Sequence, residues 1–136
     1  MDVYRVGAIG GSIAATVQVP GSKSVANRAL VCAALADGVT VLHNLPDGDD
    51  TEAMLDCLEA LGLDVQRGAG DATIEGGIAR FKSGSATLSA RLAGTTSRFI
   101  TAVAAMGRGA YTIDGLPPLR DRKSTRLNSS HVALSR

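Results

Sequence analysis

Two stretches of this chain, 71 residues apart, carry the same succession of sequence signals, and no other feature restricts the fold as much. Each stretch predicts a strand, a tight turn, a helix with an arginine in its first turns, a glycine stop and a second strand that ends in Leu-Pro. The aligned pairs are Lys23 with Gly94, Ser24 with Thr95, Gly38 with Gly109, Leu45 with Leu116 and Pro46 with Pro117. We therefore expect an α/β (α+β) fold of repeated βαβαββ units, one full unit plus half of a second.

The pattern of apolar and turn residues predicts where each element of these units lies. Strands are predicted at residues 14–19, 39–45, 64–66, 72–75, 85–90 and 110–114, and helices at residues 24–36, 49–61 and 94–106. The second helix is predicted to begin with a capping box formed by Asp49 and Glu52 and to end at Gly62.

The composition allows one modest core and excludes several classes of protein. The 136 residues are 45% hydrophobic but include only two Tyr, two Phe and no Trp, so Ala, Val, Leu and Ile must fill the core. The formal net charge of +1 gives no indication of a nucleic-acid or acidic membrane partner. No apolar run approaches membrane-spanning length, and the first residues lack the pattern of a signal peptide. Cys32 and Cys57 both fall in apolar helical runs, so we expect two reduced core thiols in a cytoplasmic protein.

Residues 20–28 read Pro-Gly-Ser-Lys-Ser-Val-Ala-Asn-Arg and gather groups that bind anions. Ser22 or Ser24 is predicted to cap the first backbone N–H groups of the helix, whose N-terminus attracts negative charge. Lys23 adds a cation, and Arg28 lies one turn beyond Ser24 on the same face. The residue types alone equally allow an ordinary capped helix with a solvated lysine. A Walker-type phosphate loop is excluded, because a serine stands between the glycine and the lysine.

Two later segments also carry residue types that bind anions. Residues 92–99 read Leu-Ala-Gly-Thr-Thr-Ser-Arg-Phe, so Gly94 precedes three hydroxyl side chains at a helix start and Arg98 follows them. Taken alone, this segment is typical of a capped helix with a surface arginine. Residues 115–122 read Gly-Leu-Pro-Pro-Leu-Arg-Asp-Arg, and their final Arg122 is equally typical of a basic loop end.

The run Pro-Gly-Ser-Lys-Ser-x-x-x-Arg-Ala-Leu at residues 20–30 resembles the signature near the start of the 3-phosphoshikimate 1-carboxyvinyltransferase (EPSP synthase) family. Residues 92–99 and 116–122 agree with it, so the resemblance covers residues 12–122 but only the first part of a family chain. It implies a two-domain enolpyruvyl transferase fold, an inside-out α/β barrel with the active site between the domains. It also implies transfer of the enolpyruvyl group of phosphoenolpyruvate to the 5-hydroxyl of shikimate 3-phosphate, a step of aromatic amino acid biosynthesis.

The resemblance implies roles for individual residues. The assignments are Lys23 for both substrates and for catalysis, Ser24 and Arg28 for shikimate 3-phosphate, Gly94 and Arg122 for phosphoenolpyruvate, and Thr95 and Arg98 as supporting residues. Two residues depart from the family pattern, because Leu92 stands where Asn is usual and Lys123 stands where Pro is usual. No organic cofactor is implied, and His43 and His131 lack the partners of a metal site.

The resemblance also divides the chain. Residues 1–122 correspond to the N-terminal part of the family, with the first strands belonging to the other domain, and residues 123–136 break the family pattern. We interpret this polar tail as foreign translated sequence and expect it to be disordered or weakly helical. Because the later substrate-binding segments of the family are absent here, we expect residues 1–136 alone to be inactive. The full-length family member is expected to be a monomer that binds small molecules.

Two alternatives remain open. The related UDP-N-acetylglucosamine enolpyruvyl transferase family shares the repeated fold, but its first loop usually reads Gly-Ala-Lys-Asn, whereas this chain has Gly-Ser-Lys-Ser followed by Arg28. A non-catalytic anion-binding module would also place lysine and arginine at a helix start. Such a module should bind phosphate and sulfate alike, whereas the family site should prefer shikimate 3-phosphate.

Overall fold

The computed structural model describes residues 3–5, 7–8, 10–121 and the backbone of residues 133–134. Its elements are α1 (Lys23–Leu35), β1 (Gly38–Leu42), α2 (Asp49–Leu61), β2 (Asp64–Arg67), β3 (Ala72–Gly76), a 3-10 helix (Ile78–Arg80), β4 (Ser85–Ser89), α3 (Gly94–Ala104), β5 (Ala110–Asp114), α4 (Pro117–Arg120) and β6 (Ala133–Leu134). Apart from the first predicted strand, this succession is the expected βαβαββ unit followed by a βαβ half-unit. The mixed α/β fold class is confirmed.

The strands form two small sheets. In the first sheet β3 lies between β1 and β2 and runs antiparallel to both, so that Thr40 and Val65 both lie opposite Ile74. In the second sheet β4 pairs in parallel with β5, and the backbone of β6 pairs antiparallel with β5. Parallel neighbours need a crossover connection, and α3 supplies it. The N-terminus of α3 therefore lies just beyond the carboxyl end of β4.

Helix α2 lies at the centre of the core. It packs against α1, α3, β2 and β4. Its residues Met54, Leu55, Leu58 and Leu61 are buried and recur at the three- and four-residue spacing of one helix face, as the sequence predicts. Burial of each such side chain stabilises the fold by about 1.5–3 kcal/mol. Because α1 also contacts α3, the packing of the three helices fixes where their N-termini lie.

The structure corrects three local predictions. Residues 14–19 form no strand, because a strand needs a hydrogen-bonded neighbour and no described strand pairs with them. The capping box is absent, since Gly48 is the N-cap of α2, whereas Asp49 and Glu52 both pair with arginines. The two cysteines are free, but only Cys57 is a core residue; Cys32 is exposed on α1. Burial raises the pKa of the Cys57 thiol to about 12.

Other element boundaries agree with the predicted ones or differ by a few residues. Gly62 ends α2 in the left-handed region, with a φ of 107°, as expected for a helix stop. The sequence patterns do not predict the 3-10 helix or α4. No helix in the described part of the chain is long and apolar enough to cross a membrane.

The predicted tail falls almost wholly outside the described residues. Residues 133–134 are the exception, and their backbone pairs with β5 where the sequence predicts disorder or a weak helix. Arg122, Lys123 and His131 lie outside the described residues as well. The division of the chain at residue 122 therefore stays a prediction.

Candidate anion-binding site

Three helix N-termini meet beside one residue, Asp50, in the first turn of α2. The Asp50 carboxylate forms an ion pair with the ammonium group of Lys23, the first residue of α1. The Asp50 backbone carbonyl accepts a hydrogen bond of 3.2 Å from the hydroxyl of Thr96, in the first turn of α3. Each helix N-terminus carries unpaired N–H groups and a partial positive charge. Their convergence favours an anion between them.

A cleft of about 370 Å³ opens at this convergence. The residues that line it are Lys23, Pro46, Asp47, Gly48, Asp49, Asp50, Thr51 and Leu92. Lys23 is the cation of this lining, and its side chain is 62% exposed, so a ligand can reach it. The lining also carries three carboxylates, which would repel an anion if their charges were not offset. Asp50 is offset by Lys23 and Asp49 by Arg91, whereas Asp47 makes no ion pair within the described residues.

We call residues 20–28 the first corner. Its predicted cap is wrong, because neither Ser22, the N-cap residue, nor any other described side chain bonds the first N–H groups of α1. This end of α1 is exposed, so water can satisfy those groups. Arg28 donates to the backbone carbonyl of Ser24 at 2.8 Å, and its guanidinium lies 5.7 Å from the centre of the Phe99 ring. The structure thus brings Lys23 to the cleft but leaves Ser24 and Arg28 beside it, exposed.

Asn27, one turn into α1, is a feature that the sequence analysis missed. It is fully buried on the same face as Leu30. Neither polar atom of its side chain has a hydrogen-bond partner in the described part of the chain. A buried amide without partners is costly and uncommon. The available signal was the polar residue at an apolar position of the helix pattern, four residues after Lys23.

We call residues 90–98 the second corner. The Ala90 N–H group donates to the Asp114 carbonyl at 2.8 Å, which ties the corner to the end of β5. Gly94 begins α3, as predicted, and is half-buried, whereas Thr95 and Arg98 are exposed and do not line the cleft. Leu92 does line the cleft, where its exposed side chain makes one wall apolar. No side chain in the described part of the chain caps α3, so the hydroxyls of this corner are not caps.

Arg91 is the second residue that the sequence analysis missed. Its Nη1 donates to Asp49 at 2.6 Å and its Nη2 donates to Asp56 at 2.5 Å, so it bridges the second corner to α2. Arg67 also donates to Asp56, at 2.8 Å. Partial burial acts to raise the pKa of Asp56, but the hydrogen bonds from Arg67 and Arg91 outweigh it and hold that pKa below its usual value.

The third predicted segment forms α4 and the turn before it. Arg120, in the last turn of α4, forms an ion pair with Asp114, and the predicted ligand Arg122 is not among the described residues. No group of three or more metal-ligating side chains occurs in the described ranges. His43 pairs with Asp71, its Nδ1 lying 3.0 Å from a carboxylate oxygen.

Known proteins agree with this architecture. A family model described as EPSP synthase (3-phosphoshikimate 1-carboxyvinyltransferase) matches residues 8–129. The 3-phosphoshikimate 1-carboxyvinyltransferase of Nostoc punctiforme is 41% identical over 124 residues, which are 90% of this chain and 29% of that protein. The Paraburkholderia phytofirmans protein of the same name is 43% identical over 107 residues, 79% of this chain and 25% of that protein.

A solved structure shows the same fold. EPSP synthase from Acinetobacter baumannii superposes with a TM-score of 0.71 at 27% identity, over 78% of this chain and 24% of that chain. This chain therefore spans less than a third of the length of the relatives it matches. The family match includes both corners and every residue that lines the cleft. On this match and the shared fold, the chain belongs to the EPSP synthase family.

Proposed function

We propose that this chain is the part of an EPSP synthase that supplies the first anion-binding corners of the active site. The reaction transfers the enolpyruvyl group of phosphoenolpyruvate to shikimate 3-phosphate and gives 5-enolpyruvylshikimate 3-phosphate and phosphate. The 5-hydroxyl oxygen loses its proton and adds to the enol carbon while the methylene carbon gains a proton; phosphate then leaves as a proton is lost from that carbon, which re-forms the double bond. Both substrates are small polyanions, and we expect the full-length protein to be a cytoplasmic monomer that acts on them without a cofactor.

The observation that carries this proposal is the meeting of three helix N-termini at Asp50, beside which Lys23 lies at the start of α1. Two anions repel each other, so a site that holds both must supply fixed positive charge from several directions. Helix N-termini provide such charge without moving when the ligand arrives. Lys23 adds a mobile cation at the point where the helices meet. It is the group we assign to contact both substrates and to support proton transfer.

The other assigned residues surround this point. Ser24 and Arg28 follow Lys23 on α1 and are exposed, so both side chains are available for the phosphate of shikimate 3-phosphate. To bind that phosphate, the Arg28 guanidinium must give up its hydrogen bond to the Ser24 carbonyl. Gly94 and Arg122 are assigned to phosphoenolpyruvate, with Thr95 and Arg98 in support. In this chain Lys23 pairs with Asp50, so a substrate anion competes with that carboxylate.

The test is a calorimetric titration of the 136-residue chain with shikimate 3-phosphate, phosphoenolpyruvate, inorganic phosphate and sulfate. Shikimate 3-phosphate is expected to bind most tightly. Replacing Lys23 by methionine should weaken its binding by at least about tenfold, since a charge-assisted contact contributes roughly 1.5–3 kcal/mol. The same substitution at Lys82 is the control, because that lysine is exposed and does not line the cleft.

The results of these titrations distinguish the proposed function from the alternative of a non-catalytic anion-binding module. Equal affinity for all four anions would favour a simple anion-binding module over part of an enzyme. Equal losses in Lys23→Met and Lys82→Met would show that only net charge matters. We also expect no phosphate release when the chain is mixed with both substrates, because it spans only 25–29% of relatives that carry out the whole reaction by name. Measurable turnover would refute that expectation.

A further inference from the structure

The backbone at Arg91 has a conformation that arginine rarely adopts. Its φ is 49°, in the left-handed region. Among the described residues, only Asn44 is another non-glycine residue with a positive φ. Asparagine tolerates this region better than arginine does, because its short polar side chain can bond locally. Contacts around Arg91 must therefore hold it in place.

Those contacts join three segments around the cleft. The guanidinium bridges two carboxylates of α2, Asp49 at 2.6 Å and Asp56 at 2.5 Å, one at the start of the helix and one almost two turns along it. The Arg91 carbonyl accepts a hydrogen bond of 2.8 Å from the Leu116 N–H group, in the turn after β5. A Cβ atom on Gly115 would lie only 3.0 Å from that carbonyl, so the two turns are in close contact.

From this geometry we propose that Arg91 is a positioning residue, which holds residues 91–95 against α2 and against the turn at residues 115–116. Leu92 and Gly94 follow it directly, so its position decides where they stand at the cleft and at the start of α3. Arg91 itself does not line the cleft. Its effect on ligand binding is exerted through this loop and through the charge of Asp49, and that part of the inference rests on the proposed function.

Arg91 also changes the charge that an anion meets. Asp49 lines the cleft, and its described ion pair is with Arg91. Without the guanidinium, that carboxylate would face the cleft uncompensated and repel an entering phosphate. Loss of Arg91 therefore lowers anion affinity for two reasons: the loop at residues 91–95 is released, and the Asp49 carboxylate is left uncompensated in the cleft.

Arg67 provides a matched control. It is also an arginine bound to carboxylates of α2, it shares Asp56 with Arg91, and its side chain is 31% exposed against 35% for Arg91. Its other partners are Glu52 and Glu59, and it belongs to β2, away from the loop at 91–95. Substitution of either arginine by glutamine removes one charge and two or more ion pairs from the same helix. Only the Arg91 change touches the loop and the cleft carboxylate of Asp49, whereas the partners of Arg67 do not line the cleft.

The first experiment measures amide hydrogen exchange in the 136-residue chain without ligand. In Arg91→Gln, the amides of Leu116, Ala93 and Ser97, which donate to the Arg91, Ala90 and Ala93 carbonyls, should exchange at least about tenfold faster than in the parent chain. In Arg67→Gln they should not change. Unchanged exchange of these amides in Arg91→Gln would overturn the proposal.

A second variant guards against a loss of folding. Arg91→Gly lets the backbone keep a positive φ without strain and removes the whole side chain, including the guanidinium that makes both ion pairs. If its amides stay as protected as those of the parent chain, the side chain does not hold the loop, and the proposal fails. Arg91→Lys should restore part of the protection, because an ammonium group can pair with one carboxylate but cannot span two.

The titrations described above separate this proposal from the proposed function. If shikimate 3-phosphate binds the parent chain, its affinity should fall at least about fivefold in Arg91→Gln and less than twofold in Arg67→Gln. Equal losses in the two variants would remove the link between the loop and the ligand. If the parent chain binds none of the anions, the proposed function fails, while amide exchange still decides whether Arg91 holds the loop.

Discussion

The first and second corners share one sequence pattern but are held in place very differently. The second corner follows a paired strand, is bound to the end of β5 through Ala90, and is bridged to α2 by Arg91. The first corner follows residues 14–19, which have no strand partner in the described structure, and Lys23 makes its one described ion pair with Asp50. Similar local signals therefore begin a helix at both corners. The corners differ in how firmly the rest of the fold holds them, because that depends on partners elsewhere in the chain.

The buried polar residues behind the two corners show the same contrast. Thr96, behind the second corner, is fully buried and donates to the Asp50 carbonyl. Asn27, behind the first, is equally buried and its amide has no partner among the described residues. The buried polar side chain of the second corner is thus hydrogen-bonded, whereas that of the first corner has no partner among the described residues. Residues at functional sites often break the rules of packing in this way.

A methyl group at Gly21 would test how firmly the first corner is attached. A Cβ atom there would overlap the backbone carbonyl oxygen of Asn44 and lie 3.4 Å from Pro46. Because a backbone atom cannot rotate away, Gly21→Ala should push the corner off the turn at residues 44–46. We expect a loss of about 1–3 kcal/mol in the free energy of unfolding, measured by urea titration.

Gly11→Ala is the control for this prediction. A Cβ at Gly11 meets no atom of the described residues within 4 Å, so its effect should stay within about 0.5 kcal/mol. If Gly21→Ala were equally harmless, the first corner would be free to move away from the turn. The contrast in anchorage would then be larger than the contacts indicate.

The next prediction concerns the two buried polar residues. Thr96→Val keeps the shape of the side chain but removes its hydroxyl, and should cost about 1 kcal/mol because the contact with Asp50 is lost. Asn27→Ala should cost less, since the small cavity it leaves is offset by removal of an unpaired amide. Urea titrations of both variants at one pH provide the comparison.

The reverse order would contradict this interpretation. A cost of about 2 kcal/mol or more for Asn27→Ala would mean that the amide has a partner, such as an ordered water molecule that bridges it to the backbone. The two corners would then resemble each other in polar satisfaction, and Asn27 would be an ordinary structural residue.

The sequence predicts what local pattern controls. The helix at 49–61, its stop at Gly62 and the strand at 72–75 follow from periodicity and turn chemistry, and each lies where expected. So does the position of Lys23 at the start of a helix. These features depend on residues that are close along the chain, whereas the cleft beside Lys23 also needs residues 46–51 and Leu92.

What the sequence does not predict depends on distant partners. Arg91 meets Asp49 and Asp56 across 42 and 35 residues, and nothing in the residues beside it indicates a positive φ. The pattern at 14–19 is that of a strand, but a strand forms only where a neighbour completes its hydrogen bonds. The periodicity of α1 places Asn27 on the buried face but gives no information about its hydrogen-bond partners.

The smallest predicted effect follows from the pKa of Asp56, which anchors the second corner through Arg91. Its pKa is lowered in the folded chain, so its contribution to stability is present above its unfolded pKa, about 4, and is lost as the pH falls through the folded value. Because this carboxyl is 37% exposed, Asp56→Asn should cost less than about 1 kcal/mol at pH 7. Urea titrations from pH 7 to pH 2 should show a shallower loss of stability below about pH 4 in this variant than in the parent chain.

Glu75→Gln is the control, because its partner Arg80 lies outside both corners. An unchanged acid slope in Asp56→Asn would mean that the carboxylate contributes no net stability, and the second corner would then depend on Ala90, Thr96 and the Arg91–Asp49 pair for its anchorage.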